Sequence, residues 1–371
     1  MTNKVFAYVG SYTVEREAHD RYVTNSKGIE VFSVNSETGE WVHIQTVEQL
    51  NPMYLLLDHK QQTLYATSSD SHLVYSYRRD SQNGMLTPLN NVEVEGLSTL
   101  CMDLSKTGKH LVVGAMSGHI SSIEINADGS LGRICDEFRL LGDPGPLREA
   151  QPWPRPHHSV FDPVQNLCYI VDKGNDCVYT EYVDENTGKL KLLQTLQTRP
   201  GGCARHIVFH PNGRFAYINT EYIGTVIACR WDSARGLLMP FQILPTSPED
   251  YVGNYCLSSE IQIHPSGRFL YVSNRGDNSI GIFSVNLETG KLKTFGWRKT
   301  GGTIPRYFCI APRGKYLYVG NQGTGDIKSF AIDQKTGDLT YTGQNIRTST
   351  PVWIIITDQI NHILNSQKLK T

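Results

Sequence analysis

No stretch of this sequence is apolar for long enough to cross a membrane as a helix. It also has no surplus of positive charge: 35 Lys and Arg stand against 36 Asp and Glu, for a formal net charge of -1. General nucleic-acid and membrane-surface binders are usually basic, so neither partner is expected, although a local basic pocket stays open. Met1 to Val5 carry no charged and then apolar signal segment, and a cytoplasmic location is expected. None of the eight cysteines (Cys101, Cys135, Cys168, Cys177, Cys203, Cys229, Cys256 and Cys309) forms a C-x-x-C pair, and several lie inside apolar strand patterns. Buried free thiols are therefore expected, not a disulfide framework or a structural zinc. No His or carboxylate cluster has metal-ligand spacing and no serine stands in a nucleophile elbow. Neither a metal nor a cofactor is expected.

What the sequence does have is a repeat, set in a composition ordinary for a globular protein (39% hydrophobic, 19% charged). A polar turn with glycine recurs seven times, at Gly39, Gly84, Gly129, Gly188, Gly236, Gly290 and Gly337, with gaps of 45, 45, 59, 48, 54 and 47 residues. Examples are Asn286 to Leu292 (NLETGKL) and Asp333 to Leu339 (DQKTGDL). Glycine supplies the positive φ of a hairpin turn, and Asn or Asp helps to open it. About 25 residues before most of these turns a second pattern recurs, as in HPNGRFAYINTE (His210 to Glu221), HPSGRFLYVSNR (His264 to Arg275) and APRGKYLYVGNQ (Ala311 to Gln322). Each unit reads as four short antiparallel strands, A to D, which is the signature of a propeller blade.

The two ends set the count. Lys4 to Tyr12 (KVFAYVGSY) matches strand B, so the first unit lacks its strand A, and Pro351 to Thr357 (PVWIIIT) is left over after the seventh. The expectation is an all-β, seven-bladed β-propeller, one domain over residues 1–371 with a short tail at 358–371. The C-terminal strand pairs into the first blade and closes the ring.

Blade register then locates a site. Six residues before each Pro-x-Gly position, strand A supplies Met53, Leu100, His157, Arg205, Ser259 and Arg306. Four residues after the strand-B tyrosine position stand Tyr12, Ser69, Met116, Lys173, Glu221, Arg275 and Gln322. Both sets face one mouth of the channel, with the charge on blades four to seven and mainly apolar or small groups on blades two and three. Three long loops, 13–27, 142–156 and 246–257, open on the same face and suggest a lid or binding wall.

Four cations, a carboxylate and a histidine at one mouth suit an anion, which arginine holds in bidentate fashion. His157 beside Glu221 offers general acid–base capacity, and arginine can stabilise a developing oxyanion. Each residue also has a plainer reading. His157 could be a packed strand-end histidine and any one arginine a bridge between blades. Lys173 reads as solvated and peripheral, and His158 and His206, one residue out of register, should point between blades.

Several pieces resemble the seven-bladed propeller lactonases, which include bacterial 6-phosphogluconolactonase and the fungal carboxy-muconate lactonizing enzyme. They are Tyr8 to Thr13 (YVGSYT), His157 to Pro163 (HHSVFDP), Ala204 to Pro211 (ARHIVFHP), Asn219 to Glu221 (NTE), Tyr271 to Ser279 (YVSNRGDNS) and Pro305 to Pro312 (PRYFCIAP). The resemblance spans roughly residues 4–357 and carries the family's active-site set onto His157, Arg205, Glu221 and Arg275, the positions that register also selects. It matches Arg306 to a further Pro-Arg motif, and leaves Lys173 and Gln322 as substrate contacts by position. Two departures stand out: Arg155 replaces the first His of a His-x-His pattern, and Lys173 replaces a usual apolar residue. The activity implied is a metal-independent lactonase acting on a small anionic sugar lactone, foremost 6-phosphogluconolactone. A cycloisomerase of a carboxylated muconate and a non-catalytic binding propeller are the alternatives, and the oligomeric state is left open.

Overall fold

The structure is a computed structural model that describes residues 5–15, 24–35 and 38–357. Lys4 of the expected first strand, residues 16–23 of the first long loop, two residues of the first glycine turn (36–37) and the tail 358–371 lie outside the described residues. Among the described residues there are twenty-eight strands and no helix, arranged as seven four-stranded antiparallel sheets. Six sheets take their strands consecutively from the chain. The remaining sheet joins β1 (Val5–Ser11), β2 (Gly28–Val34) and β3 (Trp41–Glu48) to β28 (Pro351–Ile356), in the order β28-β1-β2-β3. Tyr8 pairs with Ile355 and Val9 with Ile354, while the Phe6 and Thr357 backbones and the Thr357 hydroxyl extend the seam. Ring closure thus falls where the sequence placed it, and it hides two edges that would otherwise template further strands.

Burial follows position within the blade. Second strands such as β21 (Phe269–Asn274, FLYVSN) are buried at every residue because blades pack on both faces. Outermost strands such as β27 (Leu339–Arg347) are mostly exposed or half-buried after their first residue, so they tolerate polar residues. All eight cysteines are free thiols, six of them buried and Cys135 and Cys256 half-buried.

The two recurring sequence signals turn out to be one device. The strand-B tyrosine of a blade donates its hydroxyl hydrogen to the carbonyl of the next blade's turn glycine. Tyr8 reaches Gly84 at 2.7 Å, Tyr65 reaches Gly129 at 2.9 Å, Tyr217 reaches Gly290 at 3.0 Å and Tyr271 reaches Gly337 at 2.8 Å. Each ring is essentially fully buried, so the bond fixes the angle between neighbours from inside the seam. Replacing Tyr217 with Phe leaves the Gly290 carbonyl unpaired in that seam and is expected to cost about 1–3 kcal/mol, read as a lowered thermal midpoint with the native circular dichroism retained. An unchanged midpoint would show that the blades are held by apolar packing alone.

Candidate active site at the channel mouth

The innermost strands enter the site under local strain. Before strand A, Asn51 (φ 38°), Ser98 (φ 67°), Cys203 (φ 59°), Leu257 (φ 52°) and Ile304 (φ 55°) are all left-handed although none is glycine. For a β-branched residue such as Ile304 the conformation costs on the order of 1–3 kcal/mol. Two residues further on, the ladder skips. Ala204 pairs with Thr220 but His206 with Asn219; Pro156 pairs with Asp172 but His158 with Val171; Pro305 pairs with Asn321 but Tyr307 with Gly320. These β-bulges leave His157, Arg205 and Arg306 outside the ladder, where they line the channel.

The bulges also add to one expectation. His206 does reach between blades, to Glu260 of blade six and the His158 ring of blade four, but the bulge also brings it to the channel lining beside Arg205. His158 does bridge blades: its Nδ1 accepts from the Ile207 backbone at 3.2 Å and its ring stacks on His206 at 4.5 Å.

Glu221 is the hub. Its Oε1 lies 2.7 Å from Lys173 Nζ and 2.8 Å from Arg275 Nη2, and its Oε2 lies 3.2 Å from Arg205 Nε. All four residues are buried. Burial alone would raise the Glu221 carboxyl, but Lys173, Arg275 and Arg205 overcome it and hold it well below the usual carboxylate range. Lys173 is therefore neither solvated nor peripheral. Its Nζ lies over the Tyr222 ring, 5.1 Å from the centroid, and Gln151 of loop 142–156 donates its amide to the Lys173 backbone carbonyl at 2.9 Å. Sequence could not show this, because a lone lysine at a strand end is ordinarily wet.

Arg205 is held from three sides. Its Nη1 donates to the Ser259 carbonyl at 2.7 Å and to His206 Nε2 at 2.9 Å, in addition to the Glu221 pair. That places the His206 proton on Nδ1, which donates to Glu260 Oε2 at 2.9 Å. Burial lowers Arg205 to about 9, leaving it charged at neutral pH, and raises Glu260 to about 8 despite Arg205 nearby. Glu260 was missed in the sequence: it follows Ser259, the position that register assigned to the mouth, and the bulge in that strand was not legible.

His157 makes no hydrogen bond to another residue through either ring nitrogen, and its Nδ1 is buried. Burial, then Arg205, Lys173 and Arg306, push its pKa well below the usual histidine value, so the ring is neutral at pH 7. Arg306 sits over the Tyr12 ring, with Cζ 5.6 Å from the centroid. Gln322 is buried with no hydrogen bond at either end of its amide, and it does not join the charged cluster. Tyr12, Met53, Leu100 and Val352 pack as an apolar cluster with Met116 against it, so the mouth is lopsided as register indicated. Below, Trp353 lies between Tyr54 and Tyr307 at 3.7 and 4.0 Å between centroids. Only about 10 Å³ is left among these rings, His157 and the two arginines, roughly the space of one water. The rings form a floor, so a substrate has to approach from the loop side.

Comparison with known proteins agrees with this architecture. The family described as "Lactonase, 7-bladed beta-propeller" matches residues 6–356. A 6-phosphogluconolactonase of Bacillus subtilis is 31% identical over 82% of this chain and 84% of its own length. An uncharacterized protein of Lactococcus lactis is 35% identical over 76% of this chain and 82% of its own. The structure of the periplasmic gluconolactonase of Pseudomonas aeruginosa superposes with a TM-score of 0.88 at 25% identity, covering 96% of this chain and 99% of that one. With the family matched over nearly the whole described ring, the chain belongs to the seven-bladed β-propeller lactonases.

Proposed function

We propose that the mouth hydrolyses an anionic sugar lactone without a metal, and that the substrate is 6-phosphogluconolactone. The observation that carries this is a neutral, unbonded histidine, His157, set among cations that outnumber their carboxylate: Lys173, Arg205, Arg275 and Arg306 against Glu221. In this reading His157 takes a proton from water while the hydroxide adds to the lactone carbonyl. Arg205 and Arg275 hold the developing oxyanion and, with Arg306, the substrate's own anion. The acyl–oxygen bond of the ring then breaks, and the proton on His157 passes to the leaving ring oxygen, giving an open-chain hydroxy acid. Glu221 fits a different task. Both of its oxygens are taken by Lys173, Arg275 and Arg205, so it orients these cations instead of serving as base.

The Bacillus subtilis relative's name and the surplus positive charge favour a phosphorylated lactone, whereas the Pseudomonas aeruginosa neighbour's name favours an unphosphorylated one. Among the described residues no three His, Cys, Asp or Glu side chains cluster as a metal site requires. Initial rates with EDTA present should show 6-phosphogluconolactone hydrolysed with kcat/KM at least roughly tenfold above gluconolactone, the value of one good charge-assisted contact. Equal rates would move the substrate to the unphosphorylated sugar. Turnover of a carboxylated muconate alone would replace hydrolysis with isomerisation, and inactivation by EDTA would overturn the metal-free mechanism.

A further inference from the structure

The blade repeat provides its own control for an anomaly far from the mouth's chemistry. At the first pair after the register shift between each blade's third and fourth strands stand Phe32, Tyr77, Ile123, Glu181, Cys229, Phe283 and Phe330. All seven are buried, at 5% exposure or less, and six are apolar or aromatic. Blade four alone puts a carboxyl there, and no residue described pairs with it or hydrogen bonds to its side chain.

Glu181 borders a cavity of about 580 Å³ between blades three and four, which shares no lining residue with the channel. That volume is in the range of small-molecule sites. Its walls are largely apolar, with Phe138 and Leu140 from blade three and Tyr179, Leu190 and Leu192 from blade four. Asn175 Oδ1 on this wall also lacks a partner, but it is closed off from the cavity. The ionised Glu181 carboxylate accepts hydrogen bonds only, so the partner it lacks is a donor. A carboxylate only 3% exposed on a largely apolar wall is best met by a cation entering from the cavity.

We propose that this cavity is a second ligand site, which binds a small organic cation by its ammonium or amidinium head on Glu181 with an aromatic or branched apolar body against Phe138 and Tyr179. Burial, then Asp136, raises Glu181 to about 7. The other ionisable groups facing the cavity are the Cys177 thiol and the Tyr179 phenol, both raised by burial and neutral at pH 7, with Arg139 and Asp143 at the exposed rim. Asp136, from the neighbouring blade, accepts the Leu190 backbone hydrogen at 2.9 Å.

Calorimetric titration with 2-phenylethylamine, beside phenylacetate and 2-phenylethanol, tests the site. The amine is expected to bind, and to bind about tenfold more tightly at pH 8 than at pH 6 as Glu181 ionises, while the acid and the alcohol do not bind. Glu181→Gln should lose that pH dependence and most of the affinity. Glu181→Phe, which restores the residue of blades six and seven, should lose binding altogether. Thermal midpoints check that both variants fold, and the Gln variant alone decides if the Phe variant does not. Equal binding of all three probes, undiminished binding by Glu181→Gln, or no binding of the amine to wild type at millimolar concentration overturns the proposal.

Discussion

Replacing His157 with Ala is expected to lower kcat for lactone hydrolysis by roughly 10²–10⁴-fold, the usual contribution of a positioned base, with a much smaller change in KM. The argument rests on what surrounds the ring. Arg205, Lys173 and Arg306 repel a proton from it and burial withholds the water that would solvate one, so the neutral base persists into acid. Activity needs that neutral form, so kcat/KM falls only as pH drops through a value well below the ordinary histidine range. His157 should contribute no acid limb between pH 8 and pH 6, where an exposed histidine base would already have lost activity. An acid limb centred near 6.5 would mean that His157 is solvated or is not the base. His157→Gln keeps a polar side chain of similar reach without a basic nitrogen and should be as inactive as Ala.

Glu221→Ala should be the most damaging single change to stability. It leaves Lys173, Arg205 and Arg275 buried without their shared carboxylate, and breaking a buried pair from one side costs about 3–5 kcal/mol. The three side chains are 3 to 10% exposed, so solvent does little to screen the repulsion that remains. The sign of the pH effect follows from the depressed carboxyl. Its stabilisation is fully present above the unfolded value near 4.5 and is lost only as pH falls through the much lower folded value. Wild type and variant midpoints should therefore differ by a constant amount from pH 8 down to about pH 5 and converge only in stronger acid. Convergence already near pH 6 would contradict the assignment of Glu221 as the ionised hub.

What could be read from the sequence was whatever repeats. Seven glycine turns and the tyrosines before them gave the blade count, and the leftover strand at Pro351 gave the closure. A count along each unit also brought His157, Arg205, Glu221 and Arg275 to one mouth. What could not be read was any departure from the repeat's own rules. The bulge at Arg205 brought His206 to the channel lining as well as between blades, and the one at Ser259 and Glu260 hid a carboxyl that anchors His206. Lys173 looked wet because its cover, Gln151 and the loop around it, comes from a different part of the chain. Glu181 looked like any charge in a strand until the other six blades showed what belongs in its place.

The most direct test of the account is a crystal structure with 6-phosphogluconate, the hydrolysis product, bound from solution near neutral pH. The account predicts the product at the mouth between blades four and seven, its anionic groups on Arg205, Arg275 and Arg306 and its carboxylate carbon facing the His157 ring. Product lodged elsewhere, or at the mouth with its carboxylate turned away from His157, would contradict it.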